Sequence, residues 1–144
     1  MPPMLTTQSI AAALPRRQPD HAARRLLMHG LRRTGMHGLD DAMTASIFMS
    51  AFGGQYRRPL VLLRSLIAEL SSLASGPIRI SPPCCGRMTV DEALLADAIA
   101  AAATDPGRTR VLLGDVIGRR MVDGPAATAA LLARAFADGG QPLD

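Results

Sequence analysis

The spacing of apolar residues along the chain predicts a series of amphipathic helices that are separated by glycine and proline. Apolar side chains recur at intervals of three and four, which is the period of one face of an α-helix. The clearest case is residues 57–76, RRPLVLLRSLIAELSSLASG. Pro59 suits a first helical turn, and Gly76 followed by Pro77 ends the helix. The expected core face comprises Leu63, Leu66, Ile67, Leu70, Leu73 and Ala74.

Two helices are predicted before this one. Asp20 can cap a helix that runs to about Arg33 and ends at Gly35, and Asp40 or Asp41 can start another that runs to about Phe52. The inner faces are expected to carry Ala23, Leu26, Leu27 and Leu31 in the first helix, and Met43, Ile47, Phe48 and Ala51 in the second.

Further helices are predicted after the extended segment PIRISPPCCGRM, residues 77–88. Thr89 and Glu92 have the spacing of a capping box, which starts a fourth helix that runs to about Ala103. Residues 109–121 fit a helix or a buried strand, and a helix is favoured because a strand would find no partner beyond the short PIRI. A last helix begins near Pro125 and is apolar nearly all round, so it should pack on several sides.

These elements predict an all-α fold, a compact single-domain bundle of five to six helices over residues 19–140. A loop of prolines and cysteines should lie between the third and fourth helices. Residues 1–18 are expected to form a flexible N-terminal arm. A chain of 144 residues suits one domain. With three Phe, one Tyr and no Trp, its core must be built mainly from aliphatic side chains and alanine.

Charge is unevenly distributed, and all sixteen basic residues are arginine. Residues 1–80 hold ten Arg and four acidic residues, whereas residues 81–144 hold six Arg and eight acidic residues. The first half therefore favours an acidic partner, nucleic acid or an anionic membrane surface, unless the two halves neutralise each other by packing. The expected partner-binding surface comprises Arg24, Arg25, Arg32, Arg33, Arg57 and Arg58.

An apparent repeat of eight runs through residues 16–39, RRQPDHAA RRLLMHGL RRTGMHGL. On a helix this spacing turns each copy about 80° past two full turns, so the arginine pairs would not share a face. The helix breakers expected to prevent one continuous helix are Pro19, Gly30, Gly35 and Gly38. His21, His29 and His37 lack the i, i+4 spacing of a helical metal pair. We interpret the repeat as a consequence of composition.

The adjacent cysteines Cys84 and Cys85 carry the most reactive chemistry in the chain. A disulfide between neighbours would be strained, and Arg87 with the following helix start favours thiolate. Three interpretations compete. The pair could be small, semi-buried apolar residues. It could hold a metal ion as a cofactor, with His37, His29 or a second subunit completing the shell, because two thiolates fill half of a tetrahedral site. It could also be a redox-sensing thiol, which requires exposure.

Three segments carry a resemblance to a known family: Gly38-Leu39-Asp40-Asp41, then FGGQYRRPLVLLRSLIAEL, then PPCCGRMTVDE. Together they resemble an uncharacterised family of small alphaproteobacterial (sphingomonad-like) proteins with a Cys-Cys-x-R-M-T motif. The resemblance covers about residues 38–100 and implies an all-α fold without a known activity. Some members have a third adjacent cysteine where Pro83 stands here, and its absence argues against a metal cluster.

No catalytic motif is present: the chain has no P-loop, GxGxxG, GxSxG or HExxH. It also has no convincing signal peptide, and its longest apolar segment, residues 59–75, contains Arg64 and Glu69, which disfavours a membrane span. We therefore expect a non-catalytic cytoplasmic protein that binds a protein partner, or a second copy of itself, in a regulatory or adaptor role. The alternatives are a thiol-based metal or redox sensor using Cys84 and Cys85, and a nucleic-acid-binding protein that uses the basic half.

Overall fold

The computed structural model of the protein describes residues 16–17 and 21–144, and within them six α-helices account for most of the chain. The helices are α1 (Ala22–His37), α2 (Ala42–Phe52), α3 (Arg57–Leu73), α4 (Val90–Ala101), α5 (Pro106–Ile117) and α6 (Asp123–Asp138). A short 3-10 helix, Gly53–Gln55, joins α2 to α3. The predicted all-α bundle, with the proline and cysteine loop between its third and fourth helices, is confirmed.

Polar side chains start several of these helices. Asp41 accepts a hydrogen bond from the Thr44 amide at 2.9 Å, and Asp105 accepts from the Arg108 amide at 3.2 Å. The predicted capping box of α4 is present, because Thr89 accepts from the Glu92 amide while Glu92 accepts from the Thr89 amide. The segment that fitted either a strand or a helix forms α5, since Asp105 and Pro106 give it a strong helix start.

The core is aliphatic, with one aromatic cluster that joins α2 to α6. The rings of Phe48, Phe52 and Phe136 lie 5.0 to 6.0 Å apart between centroids, in tilted or edge-to-face arrangements. Leu27, Leu63 and other fully buried aliphatic side chains surround this cluster. Leu143 is also buried, so the packed body extends past residue 140.

The first helix differs from the prediction at both ends. Its N-cap is His21 in place of Asp20, and the imidazole Nδ1 accepts from the Arg24 amide at 3.4 Å. It continues through Gly35 to His37 and ends at Gly38, which has a φ of 101°. The expectation that Gly30 and Gly35 interrupt the helix was therefore wrong.

Both glycines are sites of close approach between elements. A Cβ atom on Gly30 would lie 2.8 Å from Leu63 Cδ2 and 2.9 Å from Phe48 Cε1. A Cβ atom on Gly35 would lie 2.6 Å from Ile80 Cδ1. The missing side chains let α1 pack directly against its neighbours, which outweighs the low helix propensity of glycine.

The inner face of α2 was also misassigned in part. Phe48 is fully buried as expected, and Ile47 and Ala51 pack against the core, but Met43 is 53% exposed. Thr44 takes the inward position, where its hydroxyl donates to the Asp41 carboxylate at 2.7 Å. At the start of α2 the buried position is therefore Thr44, one residue after Met43, which the hydrophobic pattern predicted to be buried.

Two short strands bring the start of the chain to the cysteine loop. Arg16–Arg17, β1, pairs antiparallel with Arg87–Met88, β2, so that Arg16 faces Met88. The rest of the predicted arm over residues 1–18 lies outside the described residues. None of the helices in the described part of the chain is long and apolar enough to cross a membrane.

Candidate functional site

The most unusual feature of the interior is a buried ion pair between α1 and the start of α4. The side chains of Arg32 and Glu92 are 0% and 1% exposed. Arg32 Nε donates to one carboxylate oxygen of Glu92 at 2.7 Å, and Nη2 donates to the other at 3.2 Å. This two-point geometry is the strong form of an arginine–carboxylate contact, and it offsets part of the cost of removing both charges from water.

The remaining donors of Arg32 hold the loop of prolines and cysteines. Its Nη1 donates to the carbonyl oxygens of Pro82, at 3.4 Å, and Cys85. Its Nη2 also donates to the carbonyl of Arg87 at 2.7 Å. A guanidinium has five N–H donors, and each has an acceptor here. Residues 82–87 are therefore wrapped around one buried cation.

The same centre extends to the segment before the cysteines. The Thr89 hydroxyl, which accepts from the Glu92 amide, donates to the carbonyl of Arg79 at 2.7 Å. The amide of Arg79 in turn donates to the Asp91 carboxylate at 2.8 Å. The first turn of α4 thus fixes the loop on both sides of the cysteines.

The two cysteines lie at the outer side of this loop. The Cys85 amide donates to the Pro82 carbonyl at 3.0 Å, which closes a turn. Cys84 is exposed and Cys85 is half-buried, and the two are not joined by a disulfide. Redox sensing requires an exposed thiol, and the position of Cys84 meets that requirement.

The structure does not bring the predicted metal ligands together. Cys84, Cys85 and His37 do not form a group, and residues 16–17 and 21–144 contain no cluster of three or more His, Cys, Asp or Glu that could hold a metal ion. His29, the other candidate, lies on α1 between arginines. Its own burial, followed by the charges of Arg33 and Arg32, lowers the pKa of its imidazole.

The six arginines of the predicted partner-binding surface separate into three environments. The assignment of Arg32 to that surface was wrong, because its side chain is fully buried and cannot contact a partner. Arg33 donates to the Asp41 carboxylate at 2.9 Å from its Nε, at the connection between α1 and α2. That contact raises the pKa of Arg33 and, together with the Thr44 hydroxyl, holds the pKa of Asp41 well below its ordinary value of 3.8.

The other four arginines, Arg24, Arg25, Arg57 and Arg58, lie at one end of the bundle, which we call the arginine-rich end. Arg24 Nε donates to the Leu143 carbonyl at 2.7 Å, and Arg58 forms an ion pair with Asp138 at 3.3 Å. Both contacts are made to the same short C-terminal segment. Arg24 also forms an ion pair with Asp97 of α4 at 3.8 Å, so the starts of α1 and α3 both contact the end of the chain but have different surroundings.

Within the arginine-rich end, two guanidinium groups are turned to solvent. Arg25 and Arg57 are exposed, and the guanidinium of Arg57 lies 5.9 Å from the centroid of the Tyr56 ring. A shallow cleft at Arg57 is lined by Gly54, Gln55, Arg57, Arg58, Pro59, Ala135 and Asp138. The end therefore presents cations next to an accessible concave surface.

The sequence did not reveal the buried centre, although part of it was visible. The capping box identified Glu92 as a residue that turns back toward Thr89. The sequence did not indicate which arginine contacts Glu92, because Arg24, Arg25, Arg32 and Arg33 are the same residue type on one helix. The usable signal was position: Arg32 follows Leu31 and lies one turn after Met28, both of which are buried.

Comparison with known proteins adds a family but no activity. The model of a protein family of unknown function, DUF6628, matches residues 6–137. No curated protein and no solved structure matches the chain.

Proposed function

This chain belongs to the DUF6628 family of unknown function, and we propose that it is a non-catalytic binding protein of the cytoplasm. In this proposal its arginine-rich end recognises an acidic surface of another protein in a regulatory or adaptor role. The observation that carries the proposal is that arginines at the starts of α1 and α3, Arg24 and Arg58, both contact the last residues of the chain.

The chemistry of these side chains supports an acidic partner. A guanidinium is a planar fork that binds carboxylates through two parallel hydrogen bonds. Arg25 and Arg57 are exposed, and the ion pair of Arg58 with Asp138 is exposed on both sides. Surface ion pairs contribute little to stability, so a partner's carboxylates can replace Asp138 at low cost. Association would be fast and would weaken with salt.

The test compares charge reversal at this end with the same reversal elsewhere. We expect Arg25→Glu with Arg57→Glu to weaken binding of poly-L-glutamate at least tenfold at low salt. The control variant is Arg79→Glu with Arg120→Glu, which changes the net charge equally at exposed sites away from this end. Equal loss in both variants would reduce the effect to net charge and refute a localised surface.

The same assay distinguishes the nucleic-acid alternative. A DNA or RNA duplex that binds more tightly than poly-L-glutamate, with affinity falling steeply in log-log proportion to salt, would assign the surface to phosphate contacts. Few aromatic side chains accompany the arginines, so base stacking gives no support to that alternative. We therefore propose the protein partner.

A second function is favoured by the exposure of Cys84 in a loop that is anchored in the core. We propose thiol-based sensing as this second candidate. The Cys84 thiolate would attack one oxygen of hydrogen peroxide, the O–O bond would break, and hydroxide would leave as the sulfenic acid forms. Cys85, whose carbonyl accepts from Arg32, would transmit the change to the buried pair. A metal form of this candidate would need further ligands from a second chain.

Mass spectrometry after peroxide treatment tests this candidate. We expect Cys84 to gain one oxygen before any methionine does, and Cys84→Ser to abolish the gain while Cys85→Ser preserves it. Oxidation of the exposed Met121 ahead of Cys84 would contradict a tuned thiol, because Met121 is 76% exposed and has no comparable surroundings.

We also propose that the Cys84–Thr89 motif and an alphaproteobacterial origin are features of the family.

A further inference from the structure

An apolar cavity lies between α1, α3 and the segment that precedes the cysteine loop. Its volume is about 330 Å³. Its lining residues are Leu31, Gly35, Ile67, Leu70, Ser71, Ala74, Gly76, Pro77, Ile78, Ile80 and Leu95. None of these side chains carries a charge, and only that of Ser71 has a polar atom.

The lining chemistry decides the charge of a ligand. A carboxylate or ammonium group in this cavity would lose its hydration without meeting a counterion, which is strongly unfavourable. Arg79, between Ile78 and Ile80, does not line the cavity and is exposed to solvent. The part of a ligand that enters the cavity should therefore be uncharged, whereas its polar group can stay hydrated at the rim near Ser71, which is exposed.

The volume of the cavity limits the size of the ligand. A cavity of about 150 Å³ holds one benzene molecule, so a cavity about twice as large holds roughly twelve carbon atoms at the same packing. A volume of about 330 Å³ is also at the lower end of natural ligand pockets. The cavity opens to solvent, because Gly35, Ser71, Gly76 and Pro77 of its lining are exposed.

The outer wall of the cavity is held in place from both ends. At one end, the backbone of Arg79 is fixed by the Thr89 hydroxyl and the Asp91 carboxylate. At the other end, the Ser75 amide donates to the Ile117 carbonyl at 2.8 Å. A wall that is fixed before binding keeps the cavity from collapsing and reduces the ordering cost when a ligand enters.

We propose that this cavity is a binding site for the apolar chain of a small molecule of about ten to twelve carbon atoms, such as a medium-chain alcohol. Its apolar part contacts Ile67, Ile78 and Ile80, and its hydroxyl lies at the Ser71 rim. The site is separate from the arginine-rich end, which lies at the opposite end of α3. Its test therefore succeeds or fails independently of acidic-partner binding.

The probes are 1-decanol and 1,10-decanediol, which share a chain length and differ in whether a second hydroxyl has to enter the cavity. We expect 1-decanol to shift the amide NMR signals of Gly35 and Gly76, and the diol to bind at least tenfold more weakly, because its second hydroxyl would lose its hydration among apolar side chains. Ser71→Leu fills the rim and should weaken 1-decanol binding at least tenfold. Ser72→Leu is the matched control, because Ser72 is exposed on the same helix and does not line the cavity.

Three outcomes would overturn the proposal. The first is an absence of shifts at Gly35 and Gly76 with 1-decanol near its solubility limit. The second is equal binding of 1,10-decanediol, which would show that the cavity does not select an apolar chain. The third is equal behaviour of the two serine variants, which would place the alcohol elsewhere. Thermal unfolding of both variants checks that each is folded.

Discussion

Arg32 and Glu92 depend on each other, because neither charge has access to water. Replacing Arg32 by methionine keeps much of the side-chain volume but leaves Glu92 buried and unpaired. We expect Arg32→Met to lower the free energy of unfolding by about 3–5 kcal/mol, the usual effect of breaking a buried pair from one side. Urea or guanidinium denaturation measures this loss. A loss below about 1 kcal/mol would show that the carboxylate escapes to solvent or takes up a proton.

Removing both charges should restore only part of that stability. Arg32→Met combined with Glu92→Leu eliminates the unpaired charge, but it also removes the Glu92 half of the capping box and the donor to three loop carbonyls. We expect the double variant to be more stable than Arg32→Met alone and less stable than the native protein. A double variant as stable as the native protein would mean that the loop carbonyls are satisfied by water.

Asp41 makes stability depend on pH in the acid range. Its folded-state pKa lies below the ordinary 3.8 because Arg33 and the Thr44 hydroxyl donate to its carboxylate. The stability that it contributes is complete above 3.8 and is lost as pH falls through the lowered value. We expect Asp41→Asn to be less stable at pH 7, with the difference from the native protein shrinking below pH 3.8. A constant difference across an acid denaturation series would contradict this origin.

At the residue scale, the sequence predicted the roles that are local and missed those set by distant neighbours. Thr89 was identified as a helix start, and Asp41 was one of two candidates with Asp40, because a cap and its amide are three residues apart. Arg32 was placed on the surface because its acceptors lie 50 to 60 residues away. The residues near an arginine in the sequence do not show whether distant acceptors will surround its side chain.

At the scale of elements, the packing of α1 depends on the absence of a side chain at Gly30. We expect Gly30→Ala to lower the free energy of unfolding by about 1–3 kcal/mol, because its Cβ would collide with Leu63 and Phe48. The cost of the collision would therefore exceed the gain of about 1 kcal/mol in helix propensity that alanine brings. Gly107→Ala is the control, since Gly107 is in α5 and its nearest contact would be an ordinary 3.8 Å. Chemical denaturation should show the control unchanged or more stable.

The predicted end of α1 at Gly35 was wrong, whereas the predicted start of α3 was right. In α3, the proline at the start, the glycine after the end and the leucines at intervals of three and four all agree with a helix. In α1, two glycines opposed the hydrophobic period. Their effect on the helix depended on whether another element approached them, and Leu63 and Ile80 are distant in sequence.

At the scale of the whole molecule, Thr89 connects the cysteine loop with the wall of the apolar cavity. We expect Thr89→Ala to cost about 1 kcal/mol through loss of the cap. It should also accelerate amide hydrogen exchange throughout residues 77–87, because the Arg79 carbonyl loses its donor. Thr104→Ala is the control, since its exposed hydroxyl bonds only to the carbonyl one turn earlier, at 3.4 Å. Faster exchange confined to residues 89–92 would show that the two regions are independent.

The distance in sequence between Arg32 and Glu92 has a consequence for synthesis of the protein. Glu92 follows Arg32 by 60 residues, so at about 5–20 residues per second the ribosome takes roughly 3–12 s to supply it. During that interval the guanidinium has to stay hydrated, because burial without its carboxylate is unfavourable. Burial of Arg32 on α1 therefore has to follow the synthesis of α4. The order of translation delays closure of the cysteine loop until the second half of the chain is being made.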